Sequence, residues 1–259
     1  MYYIIILVLL FVAELFYFRV ADKCNIIDKP NERSSHSRIT LRGGGIIFYF
    51  GALAYFLSNH WEYPWWWIII ALIICTGIIN AYNFMDGING ITGGYSLVIL
   101  GALAYINSEI TTFVEPALIN TVLCAVLVFC FFNFRKKAKC FAGDVGSVSI
   151  AFILLFLIGK LIIKTEDFSW IILLSVYGVD SVLTIIHRLM LHENIGLPHR
   201  KHMYQLMANE LKIPHVGVSL IYMGAQALVI LGYFCFVRYG YWYLLGIIVL
   251  LSGIYVLFM

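Results

Sequence analysis

The sequence carries little charge. Only 12% of its 259 residues are Asp, Glu, Lys or Arg, whereas a soluble globular domain carries about 25%. This shortage excludes a water-soluble fold. The chain is instead 62% hydrophobic with a mean hydropathy of +0.92, and its apolar runs approach or exceed the roughly 18 residues typical of a membrane-spanning helix. We therefore expect a polytopic membrane protein.

Other absences narrow the class of protein further. The net charge of +3 is too small to indicate a nucleic-acid partner. The six cysteines include no C-x-x-C pair, which argues against a redox motif or a metal site built from them. The segment from Met1 to Val20 has no small-residue cleavage site and contains Glu14, so we expect a retained span rather than a signal peptide.

The apolar runs do not alternate as barrel strands do, so each is predicted to be a helix that satisfies its own backbone hydrogen bonds in lipid. The expected fold is all-α, a polytopic membrane bundle of about nine transmembrane helices. No linker or repeat divides the chain, and residues 1–259 are expected to form a single integral membrane domain. The predicted helices are 2–20, 44–58, 64–82, 92–107, 115–133, 147–163, 168–190, 214–237 and 240–258.

Lys and Arg are distributed unequally between the loops. Fourteen of the 17 lie in or directly beside the loops that follow the first, third, fifth and seventh predicted helices. Because short loops rich in Lys and Arg stay in the cytoplasm, we expect the N-terminus outside and the C-terminus in the cytoplasm. The polar, glycine-rich clusters fall in or beside the same loops, so one membrane face is expected to carry the chemistry.

The first cluster runs from Asp28 to Gly45 and ends in Arg42-Gly43-Gly44-Gly45 before a predicted helix. Approachable backbone N–H groups at a helix N-terminus suit an anionic phosphate. The alternative is an anchoring loop with a small-residue packing site.

The second cluster, Asn80 to Gly94, contains Asn80, Asn83 and Asp86 at spacings of three residues, which place them on one face if the helix continues. Their hard oxygen atoms suit Mg²⁺ or the polar groups of a sugar nucleotide. The alternative is a turn, because Asn, Asp and Gly readily end helices.

The third cluster, Phe141 to Ser147, follows the basic run Arg135 to Lys139 and begins a predicted helix. Glycines flank Asp144 and allow a ligand to approach closely at a helix N-terminus. The alternative makes Asp144 a helix N-cap.

The fourth cluster lies between the seventh and eighth predicted helices and includes His199, Arg200, Lys201 and His202. Two histidines around Arg-Lys can donate several hydrogen bonds to phosphate. Zinc binding is a weaker alternative because no nearby cysteine or carboxylate completes a four-ligand set. Another alternative is an amphipathic stretch that lies on the membrane. Asp180 lies two turns before His187 and is expected to approach the same site.

Together and in chain order, the motifs resemble the polyprenyl-phosphate N-acetylhexosamine-1-phosphate transferases, the glycosyltransferase family 4 superfamily that includes MraY and WecA. The motifs are D-x-P-N-x-R-S-S-H with R-G-G-G-I, N-x-x-N-F-M-D-G-I-N-G-I, F-A-G-D-x-G-S and H-R-K-H-x-Y-Q. The short block from His199 to Gln205 is most similar to the O-antigen and capsule branch, which contributes to cell-wall and lipopolysaccharide biosynthesis.

The resemblance implies a reaction and its participants. The phosphate of undecaprenyl phosphate attacks the β-phosphorus of a UDP-N-acetylhexosamine and releases UMP, with Mg²⁺ (or Mn²⁺) as cofactor and a homodimer as one arrangement. It implies catalytic roles for Asp86, Asp144, His199 and His202, and metal binding by Asn83 and Asp144. The residues implied to bind substrate are Asn31, Arg33, His36, Arg42, Asn80, Asn89 and Arg200.

The sequence departs from the family in one respect. The family carries an Asp-Asp motif between the glycine-rich loop and the N-x-x-N helix, and this chain has no two consecutive aspartates. A catalytically impaired relative that binds UDP-sugar or lipid phosphate is therefore the alternative function. A transporter is a third hypothesis, suggested by the charged residues Glu14, Asp180 and Lys160 within or near predicted spans.

Overall fold

The computed structural model describes residues 2–24, 27–28, 40–41, 50, 66–195, 197 and 199–259. The described residues are almost entirely helical, which confirms the all-α class; the two strands, β1 (Ile27–Asp28) and β2 (Thr40–Leu41), form a short antiparallel pair. The helices are α1 (Tyr2–Lys23), α2 (Trp66–Met85), α3 (Ile91–Tyr105), α4 (Pro116–Asn133), α5 (Gly143–Thr165), α6 (Ser175–Met190), α7 (Met203–Asn209), α8 (His215–Cys235) and α9 (Gly240–Phe258).

Three irregular helical turns adjoin these elements. A π-helical turn, Ile106–Ile110, extends α3, and two 3-10 segments, Phe168–Leu174 and Val237–Tyr239, precede α6 and α9. Every predicted helix within the described residues is present, with boundaries that shift by a few residues. The predicted helix 44–58 lies outside the described residues. The short helix α7 was not predicted as a separate element.

Within the described residues, seven helical segments are long and apolar enough to cross a membrane. They begin with α2 and end with α9, and include every helix between them except the seven-residue α7. Apolar side chains remain exposed on their outer faces, Trp242 and Leu257 of α9 among them. Such faces suit contact with lipid.

The described contacts divide the chain into two compact units, Met1–Cys75 and Thr76–Met259. In the second unit α3 is the central helix, and it packs most extensively against α4 and α8. Two glycines make this close packing feasible: a Cβ at Gly93 would meet Cys130 and Phe129, and one at Gly94 would meet Met223. Small residues at such crossings allow helix backbones to approach closely in a membrane protein.

Buried hydrogen bonds join three elements of this core, and a stacked pair of tyrosine rings adds α6 to them. The rings of Tyr95 and Tyr177 stack with centroids 3.7 Å apart. The Tyr95 hydroxyl donates to Gln226 Oε1 at 2.5 Å, and Gln226 Nε2 donates to the carbonyl of Ile172 at 3.0 Å. Because buried polar groups that are fully hydrogen-bonded specify one arrangement, the network fixes α3, α8 and the 3-10 segment before α6 relative to one another.

Candidate functional site

Three polar side chains from two distant parts of the sequence meet where α2 ends and α5 begins. Asn83 Nδ2 donates to Asp144 Oδ1 at 2.9 Å and to Ser147 Oγ at 3.3 Å. The Gly143 amide donates to Asp86 Oδ2 at 2.9 Å. We call Asn83, Asp86 and Asp144 the carboxylate cluster. The second and third sequence motifs therefore form one site.

The start of α5 leaves the Asp144 carboxylate open to solvent. Gly143 is the first residue of α5 and has a φ of 59°, a left-handed conformation that glycine adopts without strain. Asp144 follows it in the first helical turn, and no side chain caps this helix. The alternative that Asp144 is an N-cap is therefore wrong. Asp144 is exposed at the positive end of the helix dipole, where anionic groups are stabilised.

Asp86 is more enclosed than Asp144. Burial raises the pKa of its carboxyl above the ordinary value, and the charge of Asp144 acts in the same direction. The hydrogen bond from the Gly143 amide opposes both effects, because it stabilises the ionised form. Two carboxylates of different environment thus share one site. A bound cation would favour the ionised form of both.

The donor set of the carboxylate cluster fits Mg²⁺ or Mn²⁺ better than zinc. It offers two carboxylates and one amide, all hard oxygen ligands, and Mg²⁺ commonly keeps several water ligands beside one or two carboxylates. Zinc prefers sets of His and Cys. In the part of the chain that the structure describes, no three His, Cys, Asp or Glu side chains are grouped in a way that could hold a metal ion.

Asn89 and Asn133 form a different kind of contact, which we call the asparagine clamp. Asn89 Nδ2 donates to the carbonyls of Arg135 and Lys136 at 3.0 and 3.2 Å. Asn133 Oδ1 accepts from the Gly90 amide at 2.7 Å, and its Nδ2 donates to the Cys140 carbonyl at 2.8 Å. The clamp fastens the basic loop after α4 to the turn after α2. Asn89 was expected to bind substrate, but its amide hydrogens already form hydrogen bonds with backbone carbonyls of this chain.

Asn80 is not brought into the carboxylate cluster by any contact in the described residues. Its side chain is exposed and donates to the carbonyl of Thr76, one turn earlier in α2, at 2.9 Å. The helix does continue to Met85, so the predicted shared face exists, but Asn80 bonds its own helix.

The segment from His199 to Gln205 packs beside the carboxylate cluster. The Tyr204 hydroxyl donates to the Phe84 carbonyl at 2.8 Å, in the turn of helix between Asn83 and Asp86. The same hydroxyl occupies the space where a Cβ of Gly87 would lie, so a side chain at position 87 would have to displace Tyr204. Tyr204 and His202 are both buried. This part of the segment packs into the helix bundle, so the alternative that it lies on a membrane surface is wrong for these side chains.

His199 carries no positive charge at neutral pH. Desolvation lowers its pKa to about 4, and the neighbouring His202, Arg188 and Lys201 act in the same direction. Its Nδ1 accepts from the Lys201 amide at 3.4 Å, which leaves Nε2 as the position of the single proton. His199 therefore offers a single N–H donor, fewer than the sequence led us to expect. Arg200 is exposed.

Arg188 supports the fold rather than a ligand. Its guanidinium is 97% buried and donates to Glu193 at 3.2 Å and to the carbonyls of Ile195, Asn194 and Leu197 at 3.2, 2.6 and 3.1 Å. Lys201 also pairs with Glu193, and its ammonium lowers the pKa of that carboxyl. Arg188 and Lys201 are thus both partnered within the chain.

Sequence reasoning missed two contributions to this site. Asn133 ends an apolar run two residues before Arg135, and a polar residue at that junction was the available signal. Tyr204 lies in the fourth motif, but its contact with Phe84 has no signal in the sequence. Asp180 was expected to approach the site of the fourth cluster, and its carboxylate lies 3.5 Å from His202 Nδ1 and accepts from the Met203 amide. The predicted residues Asn31, Arg33, His36 and Arg42 lie outside the described residues.

An apolar cavity of about 450 Å³ adjoins the start of α5. Its walls include Phe129 from α4, Phe141 and Val145 around Asp144, and Thr92 and Ser96 from α3. The cavity thus places apolar surface beside the charged end of the carboxylate cluster.

Comparison with known proteins agrees with the motifs. The family model described as glycosyl transferase family 4 matches residues 38–162. A probable undecaprenyl-phosphate N-acetylglucosaminyl 1-phosphate transferase of Bacillus subtilis (strain 168) is 30% identical over 174 residues, which cover 65% of this chain and 48% of that relative.

Two phospho-N-acetylmuramoyl-pentapeptide-transferases are also similar. The one from Halalkalibacterium halodurans is 31% identical over 115 residues, covering 40% of this chain and 35% of the relative. The one from Streptococcus equi subsp. zooepidemicus (strain MGCS10565) is 31% identical over 142 residues, covering 50% and 41%. The chain spans about half or less of the length of these relatives.

Proposed function

We propose that the chain is a member of glycosyl transferase family 4, whose model matches residues 38–162. We further propose that it transfers a sugar-1-phosphate of the N-acetylhexosamine type from a UDP-sugar to undecaprenyl phosphate, as its similarity to polyprenyl-phosphate hexosamine-1-phosphate transferases suggests. One observation carries this proposal. Asn83 and Asp144, 61 positions apart, are joined by a 2.9 Å hydrogen bond, with Asp86 held in place by the amide next to Asp144. Two motifs of the family thereby form one anionic site.

The proposed reaction exchanges one phosphorus–oxygen bond for another. An oxygen of the lipid phosphate forms a bond to the β-phosphorus of the UDP-sugar, the bond from that phosphorus to the bridging oxygen breaks, and UMP leaves with the bond's electron pair. Phosphoryl transfer of this kind depends on positioning and charge stabilisation more than on covalent participation by the protein. The chain's own residues must therefore hold two anionic substrates close together.

The described residues divide this work between two groups. Asp86 and Asp144, with Asn83, would hold Mg²⁺, which when bound supplies positive charge to the pyrophosphate oxygens. Exposed Arg200 and the Nε2–H of His199 would donate to phosphate oxygens. His202 contacts the Phe84 ring at a centroid distance of 6.3 Å. A lipid with a charged head group and an apolar tail also suits this site, because the carboxylate cluster adjoins an apolar cavity.

Purified protein in detergent tests this proposal directly. UDP-N-acetylglucosamine, undecaprenyl phosphate and Mg²⁺ are supplied together, and UMP is quantified while mass spectrometry identifies the lipid product. We expect UMP and a lipid pyrophosphate sugar only when all three are present. Controls omit the lipid or add a chelator. Release of UMP without lipid product would show hydrolysis instead of transfer and would contradict the proposal.

An impaired relative is the second candidate function, because the sequence has no two consecutive aspartates. It predicts that calorimetry detects UDP-sugar binding while UMP release stays at background.

A transporter is less well supported. Asp180 contacts Met203, at the start of α7 between two spans, whereas transporter sites lie near the bilayer midplane. Uptake of UDP-sugar into proteoliposomes without UMP release would favour the transporter.

We also propose that the carboxylate cluster faces the cytoplasm, where UDP-sugars are made available to membrane transferases. Exposed Cys140 lies in the basic loop after α4, and exposed Glu115 begins α4 at the opposite end of that helix. In variants with one cysteine each, a membrane-impermeant thiol reagent should label Glu115→Cys in intact cells and Cys140 only after permeabilisation. The reverse pattern would contradict the proposed orientation. The O-antigen role, the identity of the hexosamine and the homodimer stay predictions.

A further inference from the structure

One face of α6 carries three buried polar side chains. Asp180, Thr184 and Arg188 follow one another at four-residue spacing, which aligns them along one side of the helix. Their exposed fractions are 2%, 0% and 3%. A row of this kind inside an apolar span has a specific partner in most membrane proteins, because unpartnered polar groups there are costly.

Arg188 fastens the first half of the loop between α6 and α7, through the carbonyls and the carboxylate described above. Asp180 fastens the second half. Its Oδ1 accepts from the Met203 amide at 3.0 Å and from Thr184 Oγ1 at 3.2 Å, and its Oδ2 accepts from the Tyr222 hydroxyl at 2.6 Å. The carboxylate thus connects α6, α7 and α8.

The hydrogen-bond donors to Asp180 are all neutral. A buried carboxylate with only neutral donors can accept a further hydrogen bond from an N–H group nearby. In the described residues, His202 can supply that donor: its Nδ1 lies 3.5 Å from Asp180 Oδ1, and both side chains are 2% exposed. A carboxylate at this position favours the proton on Nδ1 and fixes the plane of the imidazole ring.

The second nitrogen of His202 is left available. Neither ring nitrogen has a hydrogen-bond partner within the described residues, and a buried unpartnered nitrogen of this kind calls for an explanation. The ring is nearly parallel to that of Tyr204, at a centroid distance of 5.8 Å, and contacts the His199 ring at 4.9 Å. Tyr204 in turn bonds the Phe84 carbonyl beside the carboxylate cluster. His202 is thus held between Asp180 and the cluster.

We propose that Asp180 is a positioning residue, which fixes the tautomer and orientation of His202 so that the unprotonated Nε2 can accept a hydrogen bond from an O–H or N–H group of the sugar nucleotide. The ligand in this inference rests on the proposed transferase function; the effect of Asp180 on His202 does not. Asp180 acts through His202 and does not itself contact the substrate.

The central variant is Asp180→Asn, which keeps the shape of the side chain and removes its charge. The amide oxygen can still accept from Met203 and Thr184, and the Tyr222 hydroxyl can turn to accept from the amide nitrogen. Tyr222→Phe is the matched control, because it removes one hydrogen bond to Asp180 and keeps the carboxylate. Melting temperatures of both variants in detergent show whether each still folds.

The first readout does not need activity. In protein labelled with ¹⁵N-histidine, the two ring nitrogens report which of them carries the proton, and His202→Gln identifies the resonances of His202. We expect a proton on Nδ1 in the wild type and in Tyr222→Phe, and a shift towards the Nε2–H form in Asp180→Asn. An unchanged tautomer in folded Asp180→Asn overturns the inference, whether or not the protein transfers sugar phosphate.

The second readout is kinetic and applies if UMP release is found. Asp180→Asn should lower kcat/KM for the UDP-sugar about 10-fold to 100-fold, as loss of a carboxylate behind a histidine does elsewhere. The double variant Asp180→Asn with His202→Gln should be no slower than His202→Gln alone, because Asp180 acts through that ring. Multiplied losses in the double variant would instead show that Asp180 acts independently of His202 and would overturn the inference.

Discussion

The carboxylate cluster and the asparagine clamp both involve the end of α2 and the turn after it. The cluster joins this region to the start of α5, and the clamp joins it to the end of α4 and the loop that follows. In the clamp, Asn89 and Asn133 are buried and donate or accept only main-chain hydrogen bonds. In the cluster, Asn83 bonds side chains, and Asp144 keeps an exposed carboxylate. Asparagines therefore have different roles in the two sites. Those of the clamp hydrogen-bond the main chain, whereas Asn83 hydrogen-bonds other side chains.

The largest expected effect comes from removing the charge of the cluster. We predict that Asp144→Asn lowers UMP release at saturating Mg²⁺ by about a hundredfold or more, because one carboxylate at the pyrophosphate is lost while the shape is kept. The melting temperature should stay near that of the wild type, since Asp144 is exposed. Exposed Glu210→Gln is the control for loss of a carboxylate elsewhere. Retention of most of the wild-type rate would remove Asp144 from the metal site.

A substitution in the asparagine clamp should lower stability and leave nucleotide binding nearly unchanged. Asn133→Ala leaves the buried Gly90 amide and the Cys140 carbonyl without their partner. We expect a loss of about 2 kcal/mol in unfolding free energy, measured as a lower melting temperature by intrinsic fluorescence. The affinity of the folded fraction for UDP-sugar should change little. A stable variant with weakened nucleotide binding would show instead that the clamp is part of the ligand site.

The helices were predictable because each has a long apolar run, and a backbone in lipid must form its own hydrogen bonds. The pairing of the second and third motifs was also within reach, since both were expected at the same membrane face. The sequence could not, however, distinguish asparagines that face a ligand from asparagines that hold the fold together. Asn83 and Asn89 lie in one motif, and only the basic loop that folds over Asn89 separates their roles.

Asp180 and Arg188 show the same limit. Both read as charged residues in or beside an apolar span, and helical spacing places them on one face. The partners of Arg188 lie in the loop after α6, whereas Asp180 also bonds Met203 of α7 and Tyr222 of α8. No local pattern in the sequence encodes these contacts, because they join different elements of the fold.

The protonation of His199 gives a smaller, pH-dependent prediction. Its pKa is about 4 in the folded chain against 6.5 for a free histidine, so the unfolded chain binds more protons between these values. This contribution to stability is complete above pH 6.5 and is lost as the pH falls towards 4. We expect the melting temperature of His199→Gln to fall less than that of the wild type between about pH 7 and pH 5. The effect should be modest, because solvent screens a partly exposed group.

His192→Gln is the matched control for the pH series, because His192 is exposed and lies in the same loop. Its melting temperature should follow that of the wild type at each pH. An equal change in both variants would show that the loss at acidic pH arises elsewhere in the chain. Bound UDP-sugar should also raise the pKa of His199 if a phosphate group lies beside it, which would reduce the difference between His199→Gln and the wild type.

The smallest effect is expected at Asn80, and it tests whether the motif alone decides a residue's role. Asn80 lies on the same helix as Asn83, three residues earlier, and the family pattern implies substrate binding for it. In the structure its amide is exposed and bonds the carbonyl of Thr76 in its own helix. Exposed interactions of this kind contribute little, so Asn80→Ala should change kcat/KM less than about twofold, whereas Asn83→Ala removes the contact to Asp144 and should lower the rate substantially. Equal losses in the two variants would mean that Asn80 turns towards the substrate on binding, and that the hydrogen bond to Thr76 does not decide its role.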